Sequence, residues 1–152
     1  RDVAVTGVQT CALPISTQPA EAEEQLNPYD LIGGEAAVRR IVNRFYDIMD
    51  SAPEAAGIRK MHAKDLSPMR ERLFEFLSGW LGGPPLYFQR PGHNCIMSAH
   101  RPYAIGAKER DEWMFCIRKA MEDCGVSGEL RTLLDQPFLR MCEAFRSRAP
   151  AQ

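Results

Sequence analysis

The 152-residue sequence lacks both long apolar runs and strand-like alternation. No stretch approaches the roughly 20 apolar residues that a membrane-spanning helix needs. The first segment, RDVAVTGVQTCALPIS, has neither a basic leader nor a continuous apolar core, so we expect no signal peptide. No segment alternates apolar and polar side chains as a half-buried strand does. These absences predict an all-α protein that does not enter a membrane.

An excess of charge of either sign is also missing, because 19 lysines and arginines face 20 aspartates and glutamates, for a net charge of -1. A balanced chain lacks the basic surface that nucleic acids and anionic membranes attract, so neither is an expected partner. The five cysteines are odd in number and form no Cys-x-x-Cys pair. That usage favours buried, reduced thiols and a cytoplasmic location over a disulfide framework.

The length predicts a single domain, residues 27–148, preceded by a tail at 1–26. The tail has no helical or strand periodicity and contains Pro14 and Pro19, which predicts disorder. Its string GVQTCALPIS resembles a translated sequencing adapter. We therefore interpret the tail as disordered or artefactual and expect it to contribute nothing to function.

Apolar residues recur at the helical period along the rest of the chain, which predicts amphipathic helices. The first follows the Gly33–Gly34 pair and ends near Asp50. The second begins with Ser67 as its N-cap and Pro68 in its first turn. The predicted buried stripes are Val38, Ile41, Val42, Phe45 and Met49 in the first helix, and Met69, Leu73, Phe76, Leu77 and Trp80 in the second.

Two more amphipathic helices occupy the second half of the chain. One spans about 108–124 and the other about 128–146, where Pro137 is expected to kink or interrupt it. Their predicted buried residues are Trp113, Ile117, Ala120, Met121 and Cys124 in the first, and Leu130, Leu133, Leu134, Phe138, Met141 and Phe145 in the second. With no strand pattern beside them, these helices make all-α the predicted fold class.

Residues 82–107 are rich in glycine and proline and form a longer connection than a helical bundle needs. They carry more apolar side chains than a solvent loop does, so something apolar is expected to lie against them. Pro102 disfavours the α region for Arg101, so the preceding helix should stop near His100. A histidine fixed in this way is either a surface residue at a helix end or a ligand with a strict direction.

Three segments, NPYDLIGGEAAVRRIVNRFYDIMD, LFEFLSGWLGGPPLYFQRPGH and SAHRPYAIGAKERDEWMFCIRKAM, follow one another in an order and spacing that resembles the group II truncated haemoglobins. The resemblance extends from Asn27 to about Phe145. It implies a shortened globin in which a two-over-two helical sandwich surrounds haem b. It also implies that His100, in the string AHRPY, is the proximal iron ligand.

Two alternatives for the histidines are weighed beside this assignment. His93 follows a Pro-Gly turn that orients its ring less well, so a structural hydrogen bond is favoured for it over iron ligation. Cys95, His93 and His100 together would offer three zinc ligands, but no further cysteine pair completes a set of four. Zinc binding is therefore not favoured.

The resemblance also implies a gas-binding side opposite the proximal histidine. Tyr46 and Trp113 match the family's distal hydrogen-bond donors, although a tryptophan on an apolar stripe is by itself most often core. His62 is either a third donor or a solvent-facing loop residue. Met69 and Leu73, four residues apart, are expected over the same pocket. Met69 replaces a residue that is usually small or polar, so it should narrow ligand entry, and its coordination to the iron is less favoured than an open site.

Other residues are candidates for contact with the haem. Arg72 and Arg101 would pair with the haem propionates, as guanidinium groups pair with carboxylates, or would be solvated surface side chains. The candidates for apolar contact with the macrocycle, or otherwise for ordinary core, are Leu73, Phe76, Leu77, Phe88, Ile96, Met97 and Ile105.

Three functions are compatible with these expectations. The first is reversible binding of dioxygen and other diatomic gases, such as carbon monoxide and nitric oxide, at a five-coordinate haem. The second is redox chemistry on the same haem, either nitric-oxide dioxygenation or a peroxidase reaction, served by a reductase of unknown identity; no dedicated acid–base pair is visible for it. The third is a haem-free helical interaction or sensor domain. The chain is expected to be a monomer or a homodimer.

Overall fold

The computed structural model describes residues 26–147, and over this range the chain is helical. The predicted tail at 1–26 therefore lies outside the described residues, except for Leu26. Eight α-helices and no strand occur between residues 26 and 147, which confirms the all-α class. They are α1 Pro28–Ile32, α2 Gly34–Ser51, α3 Ala56–Lys60, α4 Ser67–Trp80, α5 Leu86–Gln89, α6 Ile96–His100, α7 Ala107–Asp123 and α8 Gly128–Ala144, with a 3-10 turn at Pro53–Ala55.

The α2 helix carries the predicted apolar stripe and lies at the centre of the core. It is separated from α1 at Gly33, whose φ of 114° is in the left-handed region that favours glycine. It ends at Ser51, one residue beyond the predicted end, just before Pro53. Its buried residues are Ala37, Val38, Ile41, Val42, Phe45, Tyr46, Ile48 and Met49.

The long helices pack around α2 in a single core. The α2 helix packs against α4 and α7, and α7 also packs against α8. Phe45, Leu77, Ile117 and Phe138, one from each of these helices, are almost wholly buried. Burial of a side chain of this size contributes roughly 1.5–3 kcal/mol to folding, so the interlocking of the four helices supplies much of the stability.

The start of α4 differs from the prediction by one residue. Ser67 is the first helical residue instead of the N-cap, and Leu66 precedes the helix. The Ser67 side chain caps nothing; its backbone N–H donates to Oδ1 of Asp65, 3.0 Å away. Pro68 lies in the first turn as predicted, where its missing N–H costs no helical hydrogen bond.

The last helix also departs from the prediction. The α8 helix continues through Pro137 without interruption. Leu133 was expected in the buried stripe but is 60% exposed, because Leu130, Leu134 and Phe138 share the core face and Leu133 projects beyond its edge. The carbonyl that Pro137 leaves without a helical donor is that of Leu133, which lies on the solvent side where water can bond to it.

The glycine- and proline-rich connection contains the two short helices α5 and α6. The α6 helix buries none of its residues, which sets it apart from the long helices that form the core. Its last residue is His100, as predicted. Between residues 26 and 147, no helix is both long enough and apolar enough to cross a membrane.

Candidate functional site

His100 is held in one tautomer at the end of α6. Its Nδ1 lies 2.7 Å from the backbone oxygen of Ile96, one turn earlier in the helix. A carbonyl oxygen only accepts, so Nδ1 must carry the hydrogen, and the neutral ring keeps a lone pair on Nε2. The side chain is half-buried. His100 therefore presents the nitrogen that a metal ligand needs, in a fixed direction.

The helix ends at His100 for a different reason from the one expected. Arg101 has φ -56° and ψ -35°, so it remains in the α region that Pro102 was expected to disfavour. The final turn instead tightens, with the Arg101 N–H donating to the oxygen of Ser98. Pro102 then offers no N–H to continue the helix.

Residues just after α8 also restrain the His100 ring, in addition to the contact within α6. The ring of Phe145 stacks on the His100 imidazole, with the centroids 4.2 Å apart and the planes at 17°. Ser147 fixes the chain beside it, because its Oγ donates to the oxygen of Tyr103 and accepts from the N–H of Ile105, at 2.6 and 3.0 Å. Sequence analysis placed Phe145 only on an apolar stripe, since a contact over 45 residues leaves no periodic signal.

His93 is less enclosed than His100. Its Nδ1 also faces a backbone oxygen, that of Arg90 at 3.0 Å, but the side chain is exposed. It thus makes the structural hydrogen bond that was favoured for it. Cys95 is exposed as well. Within residues 26–147, no three histidine, cysteine or acidic side chains come together as a metal site.

Tyr46 and His62 are brought together on the α2 side of the candidate site. Their ring centroids are 5.9 Å apart, in an edge-on arrangement. Phe45, the neighbour of Tyr46, packs against Trp113 at 5.1 Å, and Trp113 in turn lies 5.8 Å from Phe138. The sequence-predicted distal residues are therefore assembled around consecutive positions of α2. Met69 and Leu73 lie half-buried at the edge of the same core.

Tyr46 and Trp113 keep their donor hydrogens without a partner among residues 26–147. Burial raises the pKa of Tyr46 well above its ordinary value, with Arg70 opposing the shift, so the phenol stays neutral and keeps its hydrogen. Among the described residues, neither the Tyr46 hydroxyl nor the Trp113 indole N–H donates to a hydrogen-bond partner. His62 differs, because its Nδ1 lies 2.7 Å from the oxygen of Ile58. As a neutral ring, His62 thus presents an acceptor at Nε2.

The remaining candidate residues include exposed apolar surface near α5 and α6. Phe88 is 57% exposed and Met97 is 46% exposed, which is unusual for side chains of their size. Ile96, Ile105, Leu73 and Phe76 are half-buried, whereas Leu77 is buried in the core. Arg72 and Arg101 are exposed and enter no ion pair within the described part of the chain. The residue types present, an imidazole nitrogen, exposed apolar side chains and arginines, are those that would suit a flat, apolar group carrying a metal and acidic substituents.

Glu112 is a buried residue that sequence analysis missed. Its Oε1 accepts from the backbone N–H groups of Gly57 and Ile58, at 2.7 and 3.3 Å. Glu112 is only 6% exposed, and no described residue forms a hydrogen bond with its Oε2. The sequence around it, ERDEW, has the composition of a solvated helix face, so no signal indicated a buried carboxyl.

Two surface clefts, of about 530 and 410 Å³, lie away from these residues. The first lies between α7 and α8, and its Arg118 and Asp135 pair with each other. The second is lined by α2, α4 and α5, and its Arg39 pairs with Glu71. Their main charges are thus already satisfied within the protein, and neither cleft includes His100 or Tyr46.

Comparison with known proteins gives a consistent result. The family model described as bacterial-like globin matches residues 27–147. The group 2 truncated hemoglobin YjbI of Bacillus subtilis is 34% identical over 107 residues, which cover 70% of this chain and 78% of that protein.

Solved structures agree with the sequence relatives. The cold-adapted truncated hemoglobin of the Antarctic bacterium Pseudoalteromonas haloplanktis is 38% identical, with a TM-score of 0.75 over 81% of this chain and 99% of that one. The group II 2-on-2 hemoglobin of Agrobacterium tumefaciens is also 38% identical, with a TM-score of 0.76 over 83% of this chain and 98% of that one. The chain therefore belongs to the bacterial-like globins, as a group II truncated haemoglobin with the two-on-two helical fold and haem b as its cofactor.

Proposed function

We propose that this globin binds dioxygen and other diatomic gases reversibly, with His100 as the proximal ligand to the haem iron. The observation that carries the proposal is the 2.7 Å contact between His100 Nδ1 and the oxygen of Ile96. It leaves the Nε2 lone pair unprotonated and directed away from the helix, as iron ligation requires. A bound haem would supply an iron atom able to coordinate the His100 imidazole and to bind a diatomic gas.

The chain's own groups would orient the imidazole. The Ile96 carbonyl accepts the Nδ1 hydrogen, which makes Nε2 a stronger base and opposes rotation of the ring. The stacked Phe145 ring limits the same rotation from the other side. Both contacts exist in the protein itself, so His100 is preorganised for its ligand.

Apolar side chains would hold the macrocycle, and arginines would hold its edge. Phe88 and Met97 expose apolar surface whose burial against a planar apolar group is favourable by roughly 25 cal/mol per Å². Arg72 and Arg101 lie exposed and would pair with the two propionates. The other proposed haem contacts are Leu73, Phe76, Ile96 and Ile105, whereas Leu77 is buried in the helical core and is not among them.

Tyr46 and Trp113 would stabilise a dioxygen ligand. Dioxygen acquires partial negative charge on binding, and both side chains retain a hydrogen that no described residue accepts. His62 stands beside the Tyr46 ring, and Met69 would narrow the entry to this side. A pocket with two donors favours slow release of dioxygen, which supports gas binding as the function.

The test compares His100→Ala with its matched control, His93→Ala. Both histidines bond a backbone oxygen through Nδ1, but only His100 is half-buried and stacked. We expect His100→Ala to lose most of its haem or its five-coordinate ferrous spectrum, and His93→Ala to keep both. Absorption spectra of the ferric, ferrous and carbonyl forms after haem titration measure this. Equal loss in the two variants would contradict the assignment.

A further inference from the structure

A buried carboxylate on α7 holds the segment that leads to His62. Glu112 Oε1 accepts from the N–H groups of Gly57 and Ile58, the second and third residues of α3. That helix has no side-chain cap of its own, because Ala55 occupies its N-cap position. Glu112 therefore supplies, from another helix, the acceptor that these two amides would otherwise lack.

The fit between the two elements depends on glycine at position 57. A Cβ built on Gly57 would lie 2.5 Å from Oε2 of Glu112 and 2.9 Å from Oε1. Real side chains do not approach so closely, so only glycine lets the carboxylate reach the backbone. Ala55 and Ile58 on either side are buried, which shows that the segment is packed firmly against the core.

The same segment sets the position of the His62 ring. The backbone oxygen of Ile58 accepts from His62 Nδ1 at 2.7 Å. The backbone N–H of the same residue, Ile58, donates to Glu112. The His62 ring then lies 5.9 Å from the ring of Tyr46. A continuous series of contacts thus runs from Glu112 to Ile58, then to His62 and finally to Tyr46, the proposed distal donor.

We infer that Glu112 is a positioning residue for the gas-binding side: it anchors residues 56–60 to α7 and so keeps His62 beside Tyr46 with its hydrogen on Nδ1. The inference rests on the proposed function, because only that function makes the side around Tyr46 and His62 the gas-binding side. Its structural content, the placement of His62 by Glu112, does not require bound haem. The role uses the acceptor at Oε1, which glutamine retains, so glutamine should preserve most of the anchoring that alanine removes.

The first experiment uses the protein without haem. Hydrogen exchange at the Gly57 and Ile58 amides should accelerate about tenfold or more in Glu112→Ala, since both lose the acceptor that residues 26–147 provide for them. Glu112→Gln should stay near wild type, and so should the control Glu122→Ala, which removes an exposed carboxylate from the same helix. Unchanged exchange in Glu112→Ala would overturn the inference.

A second readout is the tautomer of His62, measured from its imidazole nitrogen chemical shifts. We expect the Nδ1-protonated form in wild type and Glu112→Gln, and a mixture of the two tautomers in Glu112→Ala. A general loss of stability would not alter the tautomer of a chain that remains folded. A His62 that keeps the pure Nδ1–H form in Glu112→Ala would refute the positioning role.

Gly57→Ala perturbs the contact between Glu112 and the α3 backbone by changing the backbone partner. It keeps the inference testable if Glu112→Ala does not fold. The added methyl group should displace the carboxylate and produce the same changes at Ile58 and His62. In the Glu112→Ala/Gly57→Ala double variant, the methyl group should have little further effect, because the atoms it would strike are gone. Normal exchange and tautomer in Gly57→Ala would also count against the inference.

The haem-loaded protein supplies the last test. Glu112→Ala and His62→Ala should each change the dioxygen off-rate about threefold or more and in the same direction, because both disturb the surroundings of Tyr46, and Glu112→Ala should add less than about twofold in the His62→Ala background. Full additivity would show that Glu112 does not act through His62. If wild type binds no haem, the proposed gas-binding function fails, while the exchange and tautomer results still decide the placement of His62 by Glu112.

Discussion

Tyr46→Phe and Trp113→Phe provide the most demanding test of the distal pocket. Each removes a hydrogen-bond donor and keeps most of the aromatic volume. Tyr46 is only 5% exposed, and Trp113 is half-buried against Phe45 and Phe138. The substitutions therefore separate donation to a ligand from packing of the core.

The expected size follows from the burial of the donors. A hydrogen bond to a charged or partly charged acceptor contributes about 1.5–3 kcal/mol. Because 1.4 kcal/mol is a factor of ten, each substitution should speed dioxygen release about tenfold to a hundredfold. Carbon monoxide carries less charge, so its release should change much less. The double variant should fall short of the product of the single effects, since both donors serve one ligand.

Stopped-flow displacement of each gas measures these rates. Trp80→Phe is a matched control, because Trp80 stacks on the same Phe138 ring at 4.5 Å but is not a proposed donor. It should leave both gas off-rates near those of wild type. If neither Tyr46→Phe nor Trp113→Phe alters dioxygen release, or if both gases change equally, the two residues are packing residues and the proposed pocket is wrong.

Two further predictions concern the proximal clamp and a surface ion pair. Phe145→Leu should speed haem transfer to an acceptor globin about twofold to tenfold, because a stacked aromatic pair contributes about 0.5–1.5 kcal/mol. Phe145→Tyr keeps the ring and should behave as wild type; equal changes would contradict a stacking role. Asp135→Asn should lower the free energy of unfolding at pH 7 by about 0.2–1 kcal/mol, since Asp135 joins α8 to Arg118 of α7 through two bonds. The hydrogen bonds from Arg118 lower the pKa of Asp135 below 3.8, so this difference should be full above pH 3.8 and vanish as the pH falls through the lower folded-state pKa. Denaturant titrations across that range measure it, and a difference that persists at the acid end would show another cause.

The long helices were predictable because their apolar residues repeat at 3.6-residue spacing over four or more turns. The errors arose where a local rule competed with packing. Ser67 has the residue type of an N-cap, yet Leu66 takes that place. Leu133 has the hydrophobicity of a core residue, yet the core face passes through Leu134. Arg101 stays helical before Pro102 although that dipeptide disfavours it.

The candidate site was predictable only in part. His100 was predicted as the iron ligand because a family motif surrounds it, and the structure places it at the end of a short helix, as expected. Glu112 and Phe145 were not identified, since each acts through a partner about 45 or 55 residues away in the chain. Periodicity reports which face of a helix is apolar. It does not report which backbone amide or which ring will meet that face.

The two sides of the proposed haem site differ in how firmly the protein holds them. Glu112 and Trp113 are consecutive on α7, and successive helical residues point about 100° apart. Glu112 therefore holds the segment before His62, while Trp113 packs on Phe45 of α2. The α6 helix, in contrast, buries no residue, and His100 is held mainly by one carbonyl and one aromatic ring. The proposed distal donors Tyr46 and Trp113 are thus packed into the core, whereas α6, which carries the proposed iron ligand, is the less buried of the two sides.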